Sequence, residues 1–163
     1  MPLLMSAPLS VNLSSLSATE ALGRALAQLC VPGRQLCLEG PLGAGKSTLA
    51  RTIIEQVCGP QSDIPSPTFT LVQPYDALAG HEVWHMDLYR LTTAQDALAL
   101  GIEDAFYNAA CLIEWPDRIA VLLPATAVTI SLSIIGSNSR RAEILALEQD
   151  QAIIADALGS HPV

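Results

Sequence analysis

Lysine is almost missing from this chain: Lys46 is the only one, and the other seven basic residues are arginines. The guanine-recognition pattern N-K-x-D is therefore excluded, because the sole lysine stands in a different context. Basic residues are also outnumbered by 16 acids, for a net charge of −8. A free chain this acidic lacks the basic face that nucleic acid needs, so no direct DNA or RNA binding is expected; any RNA in its biology would be held by a partner. The four cysteines, Cys30, Cys37, Cys58 and Cys111, form no C-x-x-C pair and no zinc spacing with histidine. Buried thiols in a reducing compartment are expected instead. No basic residue precedes Arg24, so no signal peptide is expected. The longest apolar stretch, 120–135, is interrupted by Pro124, Thr126, Thr129, Ser131 and Ser133 and alternates like a strand, which excludes a membrane helix there. The expectation is a cytoplasmic protein with no membrane partner.

What is present is a globular composition: 163 residues, 50% apolar and 15% charged. This predicts one domain over 1–163, with 1–8 and 150–163 loose. Residues 40–47 read G-x-x-x-x-G-K-[ST], with Gly40, Gly45, Lys46 and Ser47 at the fixed positions. A buried-strand run, 35–38, leads in, and a helix-favouring run, 48–57, leads out, which is the context this motif requires. The backbone of Gly43, Ala44, Gly45, Lys46, Ser47 and Thr48 is expected to cradle phosphate oxygens at a helix N-terminus. Lys46 would reach the β- and γ-phosphates, and the Ser47 hydroxyl would ligate Mg²⁺. A plain glycine-rich turn leaves a lysine unexplained at a helix start, where the dipole disfavours a cation.

Residues 9–13 alternate like an edge strand. Ser17-Ala18-Thr19-Glu20 has the form of a capping box and predicts a helix presenting Ala21, Leu22, Ala25, Leu26 and Leu29 on one face. The phosphate-loop helix should close at Gly59-Pro60. Residues 66–72 and 82–88 read as the two strands of a hairpin, 93–100 as a short helix and 104–108 as a helical turn. Residues 109–113 form a fully apolar run followed by Glu114-Trp115-Pro116, the shape of a central buried strand. Residues 127–134 and 142–147 flank Gly136-Ser137-Asn138, which predicts a second hairpin. The last dozen residues read as a weak helix or tail.

A phosphate loop needs acids near the metal and the attacking water, carried at the C-terminal ends of strands. Glu114 and Asp87 end two candidate strands and are the predicted pair. Each is otherwise an ordinary solvated strand-end acid. Thr68, at the junction of a proline-stiffened loop and a strand, either senses the γ-phosphate or its metal, as switch loops do, or is a turn residue. His85 shares a strand face with Asp87 and reads as structural. His81 and His161 read as surface residues. Trp115 should project to the opposite side of its strand, as core packing or as a surface for a partner.

Four segments stand in order: 40–48, 66–75, 85–91 (His-Met-Asp-Leu-Tyr-Arg-Leu) and 113–116 (Ile-Glu-Trp-Pro). Together they resemble the bacterial TsaE (YjeE) family over residues 15–147. The resemblance implies a P-loop NTPase-like α/β fold, with a parallel central sheet extended by antiparallel strands and helices on both faces. It implies a protein that binds ATP or ADP with Mg²⁺ and hydrolyses ATP slowly alone. It further implies docking on the TsaD–TsaB complex, which carries out N6-threonylcarbamoyladenosine modification of tRNA at adenosine 37. The transfer itself would belong to TsaD, and tRNA would be met only through the complex. By motif, Lys46 binds phosphate, Ser47 and Glu114 bind Mg²⁺, Asp87 supports metal or water, and Thr68 sits in the switch-like loop. Arg140 matches a family arginine loosely and would contact nucleotide. The chain departs from the family in carrying Pro41 where an acid is usual, and Ser47 where threonine is frequent.

Two other functions fit a phosphate loop. A small-molecule kinase would close an arginine-bearing lid over the phosphates, but Arg90, Arg118, Arg140 and Arg141 are scattered. A pure binding module would keep the loop and lose hydrolysis.

Overall fold

The computed structural model describes residues 7–159. Seven strands form one sheet in the order β1-β7-β6-β2-β5-β4-β3. They are β1 (Leu9–Leu13), β2 (Gln35–Glu39), β3 (Val72–Asp76), β4 (Glu82–Asp87), β5 (Ala109–Glu114), β6 (Val128–Ile134) and β7 (Arg140–Leu145). The four central strands, β6-β2-β5-β4, are parallel. Antiparallel pairs add β7 and β1 at one side and β3 at the other. The expected parallel sheet with antiparallel extensions is therefore present. The anticipated second hairpin is present as β6–β7; in the first, β4 pairs with β3 at 72–76 rather than with 66–72.

Helices cover both faces because the central strands are apolar on both. Leu36, Leu38, Leu112 and Ile130 pack with Leu22 and Leu26 of α1 (Leu16–Leu26) and Leu49, Ile53 and Ile54 of α2 (Lys46–Cys58). Cys37, Cys111, Ile113 and Met86 face the other way. They pack with Ala97 of α3 (Ala94–Leu98), Ile102 and Phe106 of α4 (Ile102–Asn108), and Ile119 in a 3-10 stretch, Pro116–Leu122. Two-sided burial is what parallel strands require, and it explains why β5 carries no polar residue before Glu114.

Three local expectations are corrected. The cap of α1 is Ser15, whose hydroxyl accepts a hydrogen bond from Ala18 N–H at 3.1 Å. Ser17 and Glu20 lie inside the helix. The strand expected over 66–72 starts only at Val72. Before it, residues 67–70 form a turn, closed by Leu71 N–H on Pro67 O at 2.7 Å, with Leu71 at φ 66°. Pro67 fixes its own φ near the helical value, which starts a turn and overrides the β-propensity of Phe69 and Thr70. The stretch expected to be loose from residue 150 is helical to Gly159, as α5 (Glu148–Gly159). Ile154 and Ala157 enter the core beside α1, and Asp150 forms an ion pair with Arg34. The expectation of looseness for residues 1–8 falls mostly, and the placement of His161 wholly, outside the described residues. Among the described residues, no helix is long and apolar enough to cross a membrane.

Candidate functional site

The loop 40–45 runs from the end of β2 to the start of α2. Gly40 (φ 143°) passes so close to β6 that a Cβ there would lie 2.6 Å from Leu132 O. Gly45 (φ 110°) turns the chain into α2 in a left-handed conformation that only glycine adopts without strain. Pro41 is exposed and its carbonyl accepts Ala44 N–H at 3.1 Å, so the turn forms with proline in place of an acid. The amides that open α2 have no helical partners and face the mouth of the sheet.

Lys46 Nζ donates to Gly40 O at 2.6 Å. Its ammonium lies 4.8 Å from the centre of the Trp115 ring, and that ring is 4.8 Å from the ring of Tyr89. Trp115 thus overturns the expectation that it projects across the sheet. Its backbone is left-handed (φ 59°), which breaks strand alternation and folds the indole back over the phosphate loop.

Strand register brings the two predicted carboxylates together. Asp87 pairs with Glu114 across β4 and β5, and Glu114 pairs with Leu38 of β2. Parallel neighbours are about 4.8 Å apart, so both acids stand at one level beside the loop. Both are buried, at 6% and 7% exposure. Asp87 Oδ2 accepts the Thr68 hydroxyl at 3.0 Å, and Oδ1 accepts Tyr89 N–H at 3.0 Å. Glu114 Oε2 contacts His85 Nε2 at 3.0 Å. Lys46, Ser47, Thr68, Asp87, Glu114 and Trp115 share the walls of one cavity of about 660 Å³.

A second cavity, about 450 Å³, adjoins the first through Gly43, Gly45 and Thr48. Ser15, Thr19, Asn138 and Arg140 line it. Arg140 Nε donates to Gly43 O at 3.1 Å, so the final hairpin reaches the loop. Ala44 is buried behind the loop. Together the cavities could seat a polyphosphate on one side and a nucleoside on the other.

The donor set fits Mg²⁺. Ser47 offers an exposed hydroxyl, and Asp87 and Glu114 offer carboxylate oxygens. Such oxygens suit a hard cation. Among the described residues no three His, Cys, Asp or Glu side chains converge on one point. Mg²⁺ beside a polyphosphate needs only one or two protein carboxylates, the phosphates and water completing its shell.

Sequence reading missed the contact of His85 with Glu114 and the capping of Asp87 by Tyr89 N–H. The parity of His85 and Asp87 on β4 was a usable signal for the first. For the second, and for Ser15 and Asn138 in the second cavity, neither spacing nor motif offered one.

A parallel sheet with a glycine-rich loop feeding a buried helix, and two carboxylates at its C-terminal edge, defines the class of P-loop NTPase-like α/β proteins. Comparison with known proteins narrows the class. The family model for threonylcarbamoyl adenosine biosynthesis protein TsaE matches residues 13–142, and the chain belongs to that family. A Rickettsia felis relative named tRNA threonylcarbamoyladenosine biosynthesis protein TsaE is 35% identical over 145 residues, covering 89% of this chain and 84% of its own. The Bacillus subtilis protein of the same name is 31% identical, covering 88% and 89%. The crystal structure of Bacillus subtilis YdiB superposes with a TM-score of 0.75 at 27% identity, over 97% of both chains.

Proposed function

We propose that this protein is a Mg²⁺-dependent ATP-binding protein and slow ATPase that acts as the nucleotide-gated partner of a TsaD–TsaB complex in N6-threonylcarbamoyladenosine modification of tRNA. One observation carries this reading: Lys46 and Ser47 on α2 share a cavity with Asp87 and Glu114 from two neighbouring strands. The second cavity beside the loop takes the nucleoside, with Arg140 holding the loop through Gly43 O.

Lys46 Nζ exchanges the Gly40 carbonyl for β- and γ-phosphate oxygens and neutralises charge that grows on them during transfer. The amides of residues 43–48 bind the remaining oxygens. Ser47, Asp87 and Glu114 would hold Mg²⁺, which when bound supplies further charge neutralisation on the phosphates. Thr68 and Tyr89 N–H fix the Asp87 carboxylate, and His85 fixes one oxygen of Glu114. The other Glu114 oxygen is left to face the metal, and Glu114 or Asp87 would order the attacking water. No arginine lines the cavity of Lys46 and Asp87; Arg51 lines a smaller one, about 70 Å³, with Ser47, His85 and Glu114. An arginine finger adds about 10³–10⁵ in rate, so slow hydrolysis alone and stimulation by a partner follow.

The test is ATP hydrolysis by the purified chain, alone and with TsaD, TsaB and substrate tRNA. Slow turnover that rises with the partners supports the proposal. Partners that neither bind nor stimulate would overturn it and leave an ATP-binding domain with another partner. Phosphoryl transfer to a small acceptor would make it a kinase.

A further inference from the structure

Lys46 and Asp87 stand on different elements, and Tyr89, just past the end of β4, reaches toward both. Its N–H donates to Asp87 Oδ1 at 3.0 Å. Its ring meets the Trp115 ring with centroids 4.8 Å apart and planes at 54°, and the Trp115 ring centre lies 4.8 Å from Lys46 Nζ. The Arg118 guanidinium lies 5.6 Å from the centre of the Tyr89 ring. A cation, two rings and a second cation thus run in contact from the phosphate loop to the surface, where Tyr89 and Arg118 are exposed.

An ammonium on a four-carbon stem has great rotamer freedom, and it must be ordered before it can serve a phosphate. In the free protein Gly40 O orders it at 2.6 Å, but that contact is given up to the phosphates. The Trp115 ring is the contact that stays. The backbone of Trp115 does not secure the ring by itself. It is left-handed, at φ 59° and ψ 53°, a conformation that a bulky residue keeps only where its surroundings hold it. Tyr89 supplies an aromatic contact at a separation that such pairs favour.

We infer that Tyr89 is a positioning residue for Lys46: its ring holds the Trp115 indole over the ammonium, while its N–H holds the Asp87 carboxylate. The inference rests on the reading of Lys46 as a phosphate ligand. One residue then couples the cation of the site to one of its acids, and the Tyr89 and Trp115 side chains form one wall of the cavity that Lys46 enters. Arg118 adds a cation to the Tyr89 ring and steadies it.

Because Lys46 is the only lysine, 13C-lysine labelling of the full chain gives a single ε-methylene NMR signal. An ammonium over an indole puts that methylene in the ring current, so its proton shift reads the Lys46–Trp115 contact without any nucleotide. Tyr89→Leu removes the ring and leaves the N–H on Asp87. It should move the signal toward that of free lysine and lower kcat for ATP about fivefold, with a smaller change in ADP affinity. Tyr89→Phe, which loses only the hydroxyl, should return both toward wild type. The indole signal of Trp84, which packs beside Gly101, is the control on the fold and should stay in place in both variants. An unmoved Lys46 signal in Tyr89→Leu overturns the inference. So does a Lys46 signal that moves together with that of Trp84, which would report general repacking. Tyr89→Phe as impaired as Tyr89→Leu would make the hydroxyl a direct contact and overturn it too. If the wild-type chain hydrolyses no ATP, the ATPase reading fails, and the Lys46 signal still decides the positioning role.

Discussion

Lys46 is held where a helix start disfavours it, and what holds it is the Gly40 carbonyl and the Trp115 ring. Lys46→Ala should lower ATP affinity about 10–100-fold, the worth of a charge-assisted contact, with an unchanged melting temperature. Full affinity measured by calorimetry would remove the loop from nucleotide binding. Glu114→Ala should reduce Mg²⁺-dependent hydrolysis far more than ADP affinity; equal losses would indicate a folding defect. His85 adjusts that carboxylate without touching the cavity of Lys46 and Asp87. His85→Ala should therefore lower kcat with little change in ADP affinity, and His85→Gln, which can still donate to Glu114, should recover part of the loss. Steady-state kinetics on the three proteins decides this. Lys46, Ser47, Asp87 and Glu114 were legible in the sequence, because motif spacing and strand ends name them, whereas Thr68 could be read there only as a switch-loop or a turn residue. The role of His85 was not, because the partner it meets lies 29 residues away on the next strand.

Individual elements begin and end where side chains satisfy orphan backbone groups. Ser15 caps α1 and Ser17 does not, although S-x-x-E reads better from Ser17. Ser15→Ala should cost about 1 kcal/mol in urea unfolding and Ser17→Ala close to nothing. The reverse order would restore the capping box. The cap moved because helix α1 starts where the chain leaves β1 at Leu13, leaving only two residues for the turn. At the other terminus, α5 is held by the Arg34–Asp150 pair and by two side chains entering the core. Asp150 is 2% exposed. Asp150→Ala should lower stability by about 3 kcal/mol, because it strands Arg34 in a partly buried place. A loss below measurement would return this segment to the loose tail expected from its composition. Its helical pattern is weak because only Ile154 and Ala157 among its apolar residues are buried, and a three-turn helix needs packing to form.

Across the whole molecule, the two-faced burial of the sheet fixes the chemistry of its cysteines. Burial pushes the Cys30, Cys37 and Cys111 thiols up to about 12. These thiols stay protonated in the folded chain while an unfolded chain loses their protons from about pH 8.5. The folded state then binds more protons than the unfolded one, so stability is full below that pH and declines as pH rises toward 12. Urea midpoints should fall between about pH 8 and pH 10, and the fall should be smaller in Cys111→Ala after correction for its lower starting stability. The same burial should protect native Cys30, Cys37 and Cys111 from thiol reagents.

By itself, the sequence determined the strand, loop and helix around residues 35–58, the continuous apolar run of the central strand 109–113 and the two carboxylates that end their strands. These are local consequences of spacing and period, and they survive in any context that buries the apolar face. The tertiary structure decided what Trp115, His85 and Thr68 do. Trp115 turns back because one residue takes a left-handed backbone. His85 and Thr68 gain partners because β4 lies in register beside β5 and folds under a turn set by Pro67. Each is a relation between residues distant in the chain, and strand order, register and helix placement carry it, none of which a local pattern encodes.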